Sequence, residues 1–290
     1  RMQLGRRFKR VSKFDGTYIW DRVNYYNKLT EPVSLGNNAV SIQSLRLKDY
    51  KTTYFLDSYK FLRFYNKNLE CHLRFGDITT IPEVPSLLKS RPISESNANS
   101  VLLKLNKIRH FHFVHDQKKY AEKKDLIVWR GNVTDPKKIR VQFFEKFFGH
   151  PMCDIGYTNN WGKNFEWAKP KMTIDEQLDF KFILCLEGVD VATNLKWAMS
   201  SNSLAVMPKP KYETWFMEGA LVPGFHYVLI QDDFSDLEEK MRYYIDNPGE
   251  AKSIIQNAHQ HVSQFLNKER EDLISLLVLD KYFRKTHQLG

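Results

Sequence analysis

An α/β fold built on a parallel sheet is predicted by three observations. Unbroken apolar runs recur in the second half of the chain, at 126–129, 182–186, 204–207 and 227–230. Stretches of helical character separate them, and a strand covered on both faces reads as a continuous apolar run. The 290 residues, 42% hydrophobic and 14% aromatic, suit one large domain or two of about 100–200 residues each. Such a chain buries a core without disulfide or metal support. A mean hydropathy of −0.50 and the lack of any apolar run near ~18 residues exclude a spanning helix.

The elements follow in order. The first 45 residues read as irregular and open on a basic cluster, Arg1, Arg6, Arg7, Lys9, Arg10 and Lys13. A helix is predicted over 51–66, where Phe55, Tyr59 and Leu62 fall at i, i+4 and i+7. Residues 69–75 read as a strand that stops at Gly76-Asp77. Pro82, Pro85 and Pro92 make 81–93 an ordered loop. Residues 108–114 alternate as a second strand, with Phe111 and Phe113 on one face. Beyond the charged run 118–124 the pattern becomes strand then helix. Strands at 126–129, 182–186, 204–207 and 227–230 alternate with helices at 141–148, 191–199 and 235–245. Asn247-Pro248-Gly249 breaks the chain, and two further helices run to the end. The expected domains are 1–122, with its basic arm, and 123–290, whose last helix is free to pack back on the first. The second half is thus expected to be a Rossmann-like unit.

Lys and Arg number 44 against 34 Asp and Glu, a formal charge of +10. Such a surplus selects an anionic partner: nucleic acid, an anionic membrane face or a phosphorylated small molecule. Cys71, Cys153 and Cys185 are odd in number and form no CxxC pair, which reads as reduced, buried thiols. No signal peptide is visible. The sequence opens at Arg1 without Met, so a trimmed targeting segment stays open.

Ligands of open parallel sheets bind beyond the carboxyl ends of the strands, which selects three junctions. At Trp129-Arg130-Gly131 a strand enters a glycine turn before a helix start flanked by Lys138 and Arg140. Helix-start amides and these cations suit phosphate; the other reading is an ordinary turn with solvated lysines. Neither GxGxxG nor a Walker loop is present. At Glu187-Gly188 a strand ends in a carboxylate, and Asp190 can cap the helix carrying Lys196. That arrangement suits sugar hydroxyls, or is a capped helix with Lys196 in solvent. The third junction, 208–216, holds Glu213 among aromatic residues that either hold a sugar or simply pack. In the first half Asp77 stands behind Gly76, as a general base at a cleft or as a turn residue. His110 and His112 share a face of the expected strand, but no Cys, Asp or Glu completes a metal set with them and His115.

These junctions resemble glycosyltransferase family 90, which holds bacterial lipopolysaccharide core glycosyltransferases and eukaryotic protein O-glucosyltransferases. The resemblance runs from about 69 to 285. It is carried by Trp129-Arg130-Gly131 and by Glu187-Gly188-Val189-Asp190-Val191-Ala192-Thr193-Asn194-Leu195-Lys196-Trp197. Met199-Ser200-Ser201-Asn202-Ser203, Tyr212-Glu213-Thr214-Trp215-Phe216-Met217-Glu218-Gly219, Pro223 and His226-Tyr227 continue it. Eukaryotic members have Arg-Gly where Glu187-Gly188 stands, so the bacterial branch fits better. The resemblance implies a GT-B-like pair of Rossmann-like domains with a cleft between them. It further implies a UDP-sugar donor, inversion at the anomeric carbon, and neither cofactor nor required metal.

Asp77 matches the family's catalytic aspartate, although Ile78 and Thr79 replace the usual residues after it. Arg130, Gly131 and Lys138 would lie near the diphosphate, Lys138 standing where eukaryotic members have arginine. Asp190, Thr193, Asn194 and Lys196 would lie near nucleotide or sugar, and Arg140, Glu187, Gly188 and Glu213 complete the expected donor set. The implied reaction moves glucose or galactose to a lipopolysaccharide inner-core acceptor, in the cytoplasm at the inner membrane of a Gram-negative bacterium. The basic clusters at 1–13 and 118–124 would dock on phosphorylated core sugar and anionic lipid. The alternatives are a protein or capsule acceptor, or a nucleic-acid-binding module using Trp and Tyr as stacking groups. With the donor motifs assigned, nucleic acid is the less favoured partner.

Overall fold

The computed structural model describes residues 15–134, 137–158 and 166–289, so the basic cluster at 1–13 lies outside the described residues. Strands in chain order are β1 (Val40–Ser41), β2 (Glu70–Arg74), β3 (Ser86–Leu88), β4 (Ser90–Pro92), β5 (Ser100–Leu102), β6 (Lys124–Gly131), β7 (Cys153–Tyr157), β8 (Phe180–Leu184), β9 (Leu204–Met207), β10 (Tyr212–Thr214) and β11 (Val228–Leu229). Helices are α1 (Gly16–Tyr26), α2 (Thr52–Leu62), α3 (Lys107–His110), α4 (Ile139–Phe147), α5 (Ile174–Gln177), α6 (Leu195–Ser200), α7 (Leu237–Asp246), α8 (Pro248–Ser263) and α9 (Lys268–Lys285). The chain divides into two units. Unit 1 takes Arg1–Arg109, Tyr212–Glu218 and Phe265–Gly290, and unit 2 takes His110–Lys211 and Gly219–Gln264. This division is discontinuous and begins earlier than the 122/123 boundary read from the sequence.

Unit 1 is organised around α9. Ile274, Val278, Leu279, Tyr282 and Phe283 are all fully buried, and a helix apolar on more than one side is a central helix. Helix α1, absent from the sequence reading, carries the same signal that marks 51–66. Ile19, Val23 and Tyr26 are buried at i, i+4 and i+7, and the Asp15 carboxylate caps Thr17 N at 2.9 Å. The sheet runs β1-β2-β3-β5, with β1 antiparallel to β2 and the other pairs parallel. The antiparallel edge, and the lack of a helix in the 75–85 connection, depart from the Rossmann-like pattern expected of this half.

Residues 81–93 are not all loop. Pro82 and Pro85 precede β3, and Pro92 ends β4, which pairs antiparallel with β10 as a two-stranded ribbon. Proline is tolerated at strand ends and edges, where no central ladder bond is lost. The strand expected at 108–114 is also absent. The Asp57 carboxylate accepts from Lys107 N at 3.0 Å and starts the turn α3, after which 111–117 is irregular. His110 and His112 therefore share no strand face.

Unit 2 is the parallel sheet the apolar runs predict. Its order is β11-β9-β8-β6-β7, and every pair is parallel. Strand β7 escaped the sequence reading because Asp154 and Gly156 interrupt its apolar pattern. Ile127, Trp129, Ile155, Phe182, Leu184 and Val206 form the core with Phe143 and Phe144 of α4. Edge-to-face contacts hold α4 in place: Trp129 of β6 on Phe144 at 5.5 Å joins it to the sheet, and Phe143 meets Phe234 of the turn after β11 at 5.0 Å. The three cysteines are free and buried. Among the described residues no helix is long and apolar enough to cross a membrane.

Candidate functional site

In unit 2 the strands, taken in chain order, lie 2-1-3-4-5 across the sheet. The order reverses between β6 and β8, and the crevice at such a switch point is where doubly wound sheets hold ligands. Arg140, in the first turn of α4, lies across that point. Its guanidinium donates to Asn132 O at 2.8 Å and Leu186 O at 3.1 Å, and lies 5.4 Å from the Trp129 ring centre. It thus ties the loop after β6 to the loop after β8.

Glycines leave room for these side chains. A Cβ on Gly188 would stand 2.8 Å from Arg140 Nη2, and one on Gly131 would meet the Trp129 indole at 2.8 Å. Glu187 accepts from Lys211 N at 2.9 Å and stands 3.9 Å from Lys137 Nζ, which draws in the loop after β9. Lys138, at φ 55°, is the N-cap of α4 and makes no side-chain capping bond. Arg140, Lys137 and Lys138 therefore gather at a helix start, an arrangement that attracts phosphate.

Other expected donor residues are engaged by neighbouring groups or buried. Arg130 is bound to Asp154 Oδ1 at 2.8 Å and Asp154 O at 2.7 Å, and also reaches Pro170 O at 3.1 Å. Burial opposes ionisation of Asp154, but its bonds to Arg130 and Lys169 outweigh that and hold the carboxyl below its usual range. Asn194 turns its side chain back to Leu184 O at 2.8 Å, closing the end of β8. Asp190 is buried and Thr193 half-buried. Lys196 is fully buried on α6, not in solvent. Burial pushes the Cys185 thiol up, with the Lys196 charge opposing.

Glu213 belongs to unit 1. On β10 it forms a buried ion pair with Arg91 at 2.7 Å and accepts a short bond from Tyr25. Arg91 also donates to Tyr25 O, Tyr26 O and Ser100 O, so this carboxylate anchors a structural network.

Asp77 also stands in unit 1, behind β2. Gly76 supplies the turn with φ 125°, a conformation open to glycine. The half-buried carboxylate accepts from Lys89 Nζ at 2.5 Å through Oδ1, and Lys89 itself is 1% exposed. Oδ2 makes no hydrogen bond among the described residues. Burial raises the Asp77 pKa, but the bond and charge of Lys89, with Arg109 and Lys51, prevail and place it below the usual value. Lys89 is the partner of this candidate residue that sequence reasoning missed. It sits twelve positions away in the proline-rich segment, where no periodicity marks it. Among the described residues no group of three or more His, Cys, Asp or Glu is placed to hold a metal ion.

Comparison with known proteins agrees with this geometry at the level of family. Residues 93–284 match the model of glycosyl transferase family 90. The O-glucosyltransferase LpsA of Dichelobacter nodosus is 43% identical over 277 residues, 96% of this chain and 86% of that protein. Human protein O-glucosyltransferase 3 is 28% identical over 169 residues, covering 56% of this chain and 32% of its own. A crystal structure of TarM aligns at a TM-score of 0.42 and 15% identity, over 72% of this chain and 43% of that one, a likeness too slight to assign the fold. The match to the family model over most of the length, together with a relative of this identity, means that the chain belongs to glycosyl transferase family 90 and is a sugar-transferring enzyme.

Proposed function

We propose that this enzyme transfers a hexose from a UDP-sugar, with inversion, to the inner core of lipopolysaccharide. The observation that carries this reading is the similarity to an O-glucosyltransferase named LpsA over 96% of the chain. The names of that relative and of the human one favour glucose over galactose as the sugar. Asp77 is the general base: its carboxylate takes the proton of the acceptor hydroxyl through Oδ2. The acceptor oxygen then bonds to C1 of the sugar from the face opposite the leaving group. The C1–O bond to the diphosphate breaks, and UDP departs with the electron pair.

A depressed pKa keeps Asp77 charged at neutral pH, which supports a base role although it lowers basicity. The helix start of α4 with Lys137, Lys138 and Arg140 offsets the charge of the departing diphosphate, with no metal required. Asp77→Asn tests the reading. Transfer should fall roughly 100- to 10,000-fold while UDP binding, followed by calorimetry, persists. Substantial turnover by this variant would remove Asp77 from the mechanism.

A further inference from the structure

A cavity of about 210 Å³ opens in unit 1, and its chemistry is that of an anion site. Four ammonium groups line it, Lys60 of α2, Lys104, Lys107 of α3 and Lys268 of α9, against the carboxylates of Glu271 and Asp272. These acids are already engaged. Glu271 is held by Arg22 at 3.1 Å and by Trp215 Nε1 at 2.6 Å, and Lys104 stands 3.8 Å from it. Asp272 pairs with Lys60 at 2.6 Å, and Asp57 pairs with Lys107 at 2.8 Å. Positive charge therefore remains in excess at a partly desolvated place, where it acts most strongly on an anion. Burial, helped by Arg22 and Lys107, holds the Lys104 pKa below its usual value, a cost that a bound anion relieves. Phe61, Phe265 and the exposed Leu266 join Ser275 in the remaining wall and give it an apolar face suited to the C–H side of a sugar ring.

We propose that this cavity binds a phosphomonoester carried on the acceptor carbohydrate, at a distance from the reacting hydroxyl. The proposal rests on the transferase reading above. Lys60 on α2 follows the N-cap Lys51, whose charge acts on Asp77, by nine positions. At the rise of an α-helix the backbones of Lys51 and Lys60 stand about 14 Å apart, so the cavity lies away from the reacting hydroxyl on a scale an oligosaccharide can bridge.

Inorganic phosphate is the first probe, measured by calorimetry on the whole chain with and without saturating UDP. Phosphate should bind in both conditions. Lys268→Gln, an exposed change, and Lys104→Met should each weaken it about tenfold, the loss of one charge-assisted bond. UDP affinity should be retained in both variants, so failure here is distinct from failure of the donor site. Displacement of phosphate by UDP, or equal phosphate affinity in Lys268→Gln and the parent chain, would overturn the proposal. Phosphatidylglycerol vesicles form the second arm. Vesicle binding lost in these variants without any phosphate binding would assign the lysines to a lipid surface and overturn the carbohydrate assignment.

Discussion

At Asp77 burial and charge act in opposite directions. Desolvation favours the neutral acid, whereas the buried Lys89 ammonium, with Arg109 and Lys51, favours the carboxylate and prevails. The folded pKa is therefore depressed, and the base form survives to lower pH than in a free aspartate. Lys89→Met removes the dominant partner. The acid limb of the kcat/KM profile should then move to higher pH, because Asp77 protonates sooner as the pH falls. An acid limb that stays in place would mean that another group governs it. The aspartate itself is legible in the sequence from its place after a strand and Gly76. Its lysine is not, because the contact bridges the 75–85 connection. Glu213 shows the converse. Its motif reads as part of a sugar site, yet its carboxylate lies buried against Arg91 and Tyr25.

Among the elements, the junctions of β6 and β8 with their helices depend on one arginine and one glycine. Gly188→Ala would place a Cβ 2.8 Å from Arg140 Nη2 and 3.1 Å from its Cζ. The guanidinium would have to shift away from Gly188, loosening the bonds to Leu186 O and Asn132 O that couple the two loops. UDP affinity should fall about tenfold, the loss of one charge-assisted bond, as read by calorimetry; full affinity would exclude this helix start as the diphosphate site. In unit 1, α9 begins under the Asn267 side chain, which accepts from Arg270 N at 3.1 Å. Asn267→Ala should cost about 1 kcal/mol of stability in urea unfolding, and no change would show that these amides are satisfied otherwise. Elements with an unbroken apolar run were legible, as was the i, i+4, i+7 face of α2, whereas the same face on α1 lay among the basic and polar residues of 1–45 and was passed over. Strand β7 was not, since Asp154 and Gly156 break the pattern while Arg130 and Lys169 neutralise the aspartate.

At the scale of the whole molecule the charge of +10 is divided among several tasks. The run 118–124, expected to dock on anions, is partly spent inside unit 2. Lys123 is buried against Asp116 at 2.7 Å, and Lys118 pairs with Asp179 at 2.6 Å. The N-terminal cluster at 1–13 remains the proposed membrane contact. Replacing Arg6, Arg7, Lys9 and Arg10 by Gln should weaken recovery on anionic vesicles and reduce its dependence on salt. UDP-induced thermal stabilisation should be unaffected, and unchanged vesicle recovery would refute the contact. The sequence by itself determined that an α/β unit with a parallel sheet occupies the second half, because each strand's burial is written in its own apolar run. It also marked the strand-end junctions at 130–140 and 187–196, where the proposed donor site lies. Only the tertiary structure decided the strand order that sets β6 beside β8, the seat of Arg140 on Gly188, and the pairing of Lys89 with Asp77. It also decided the return of residues 212–218 and 265–290 to unit 1. Such contacts join residues from twelve to more than two hundred positions apart, and no local period of 2 or 3.6 residues encodes them.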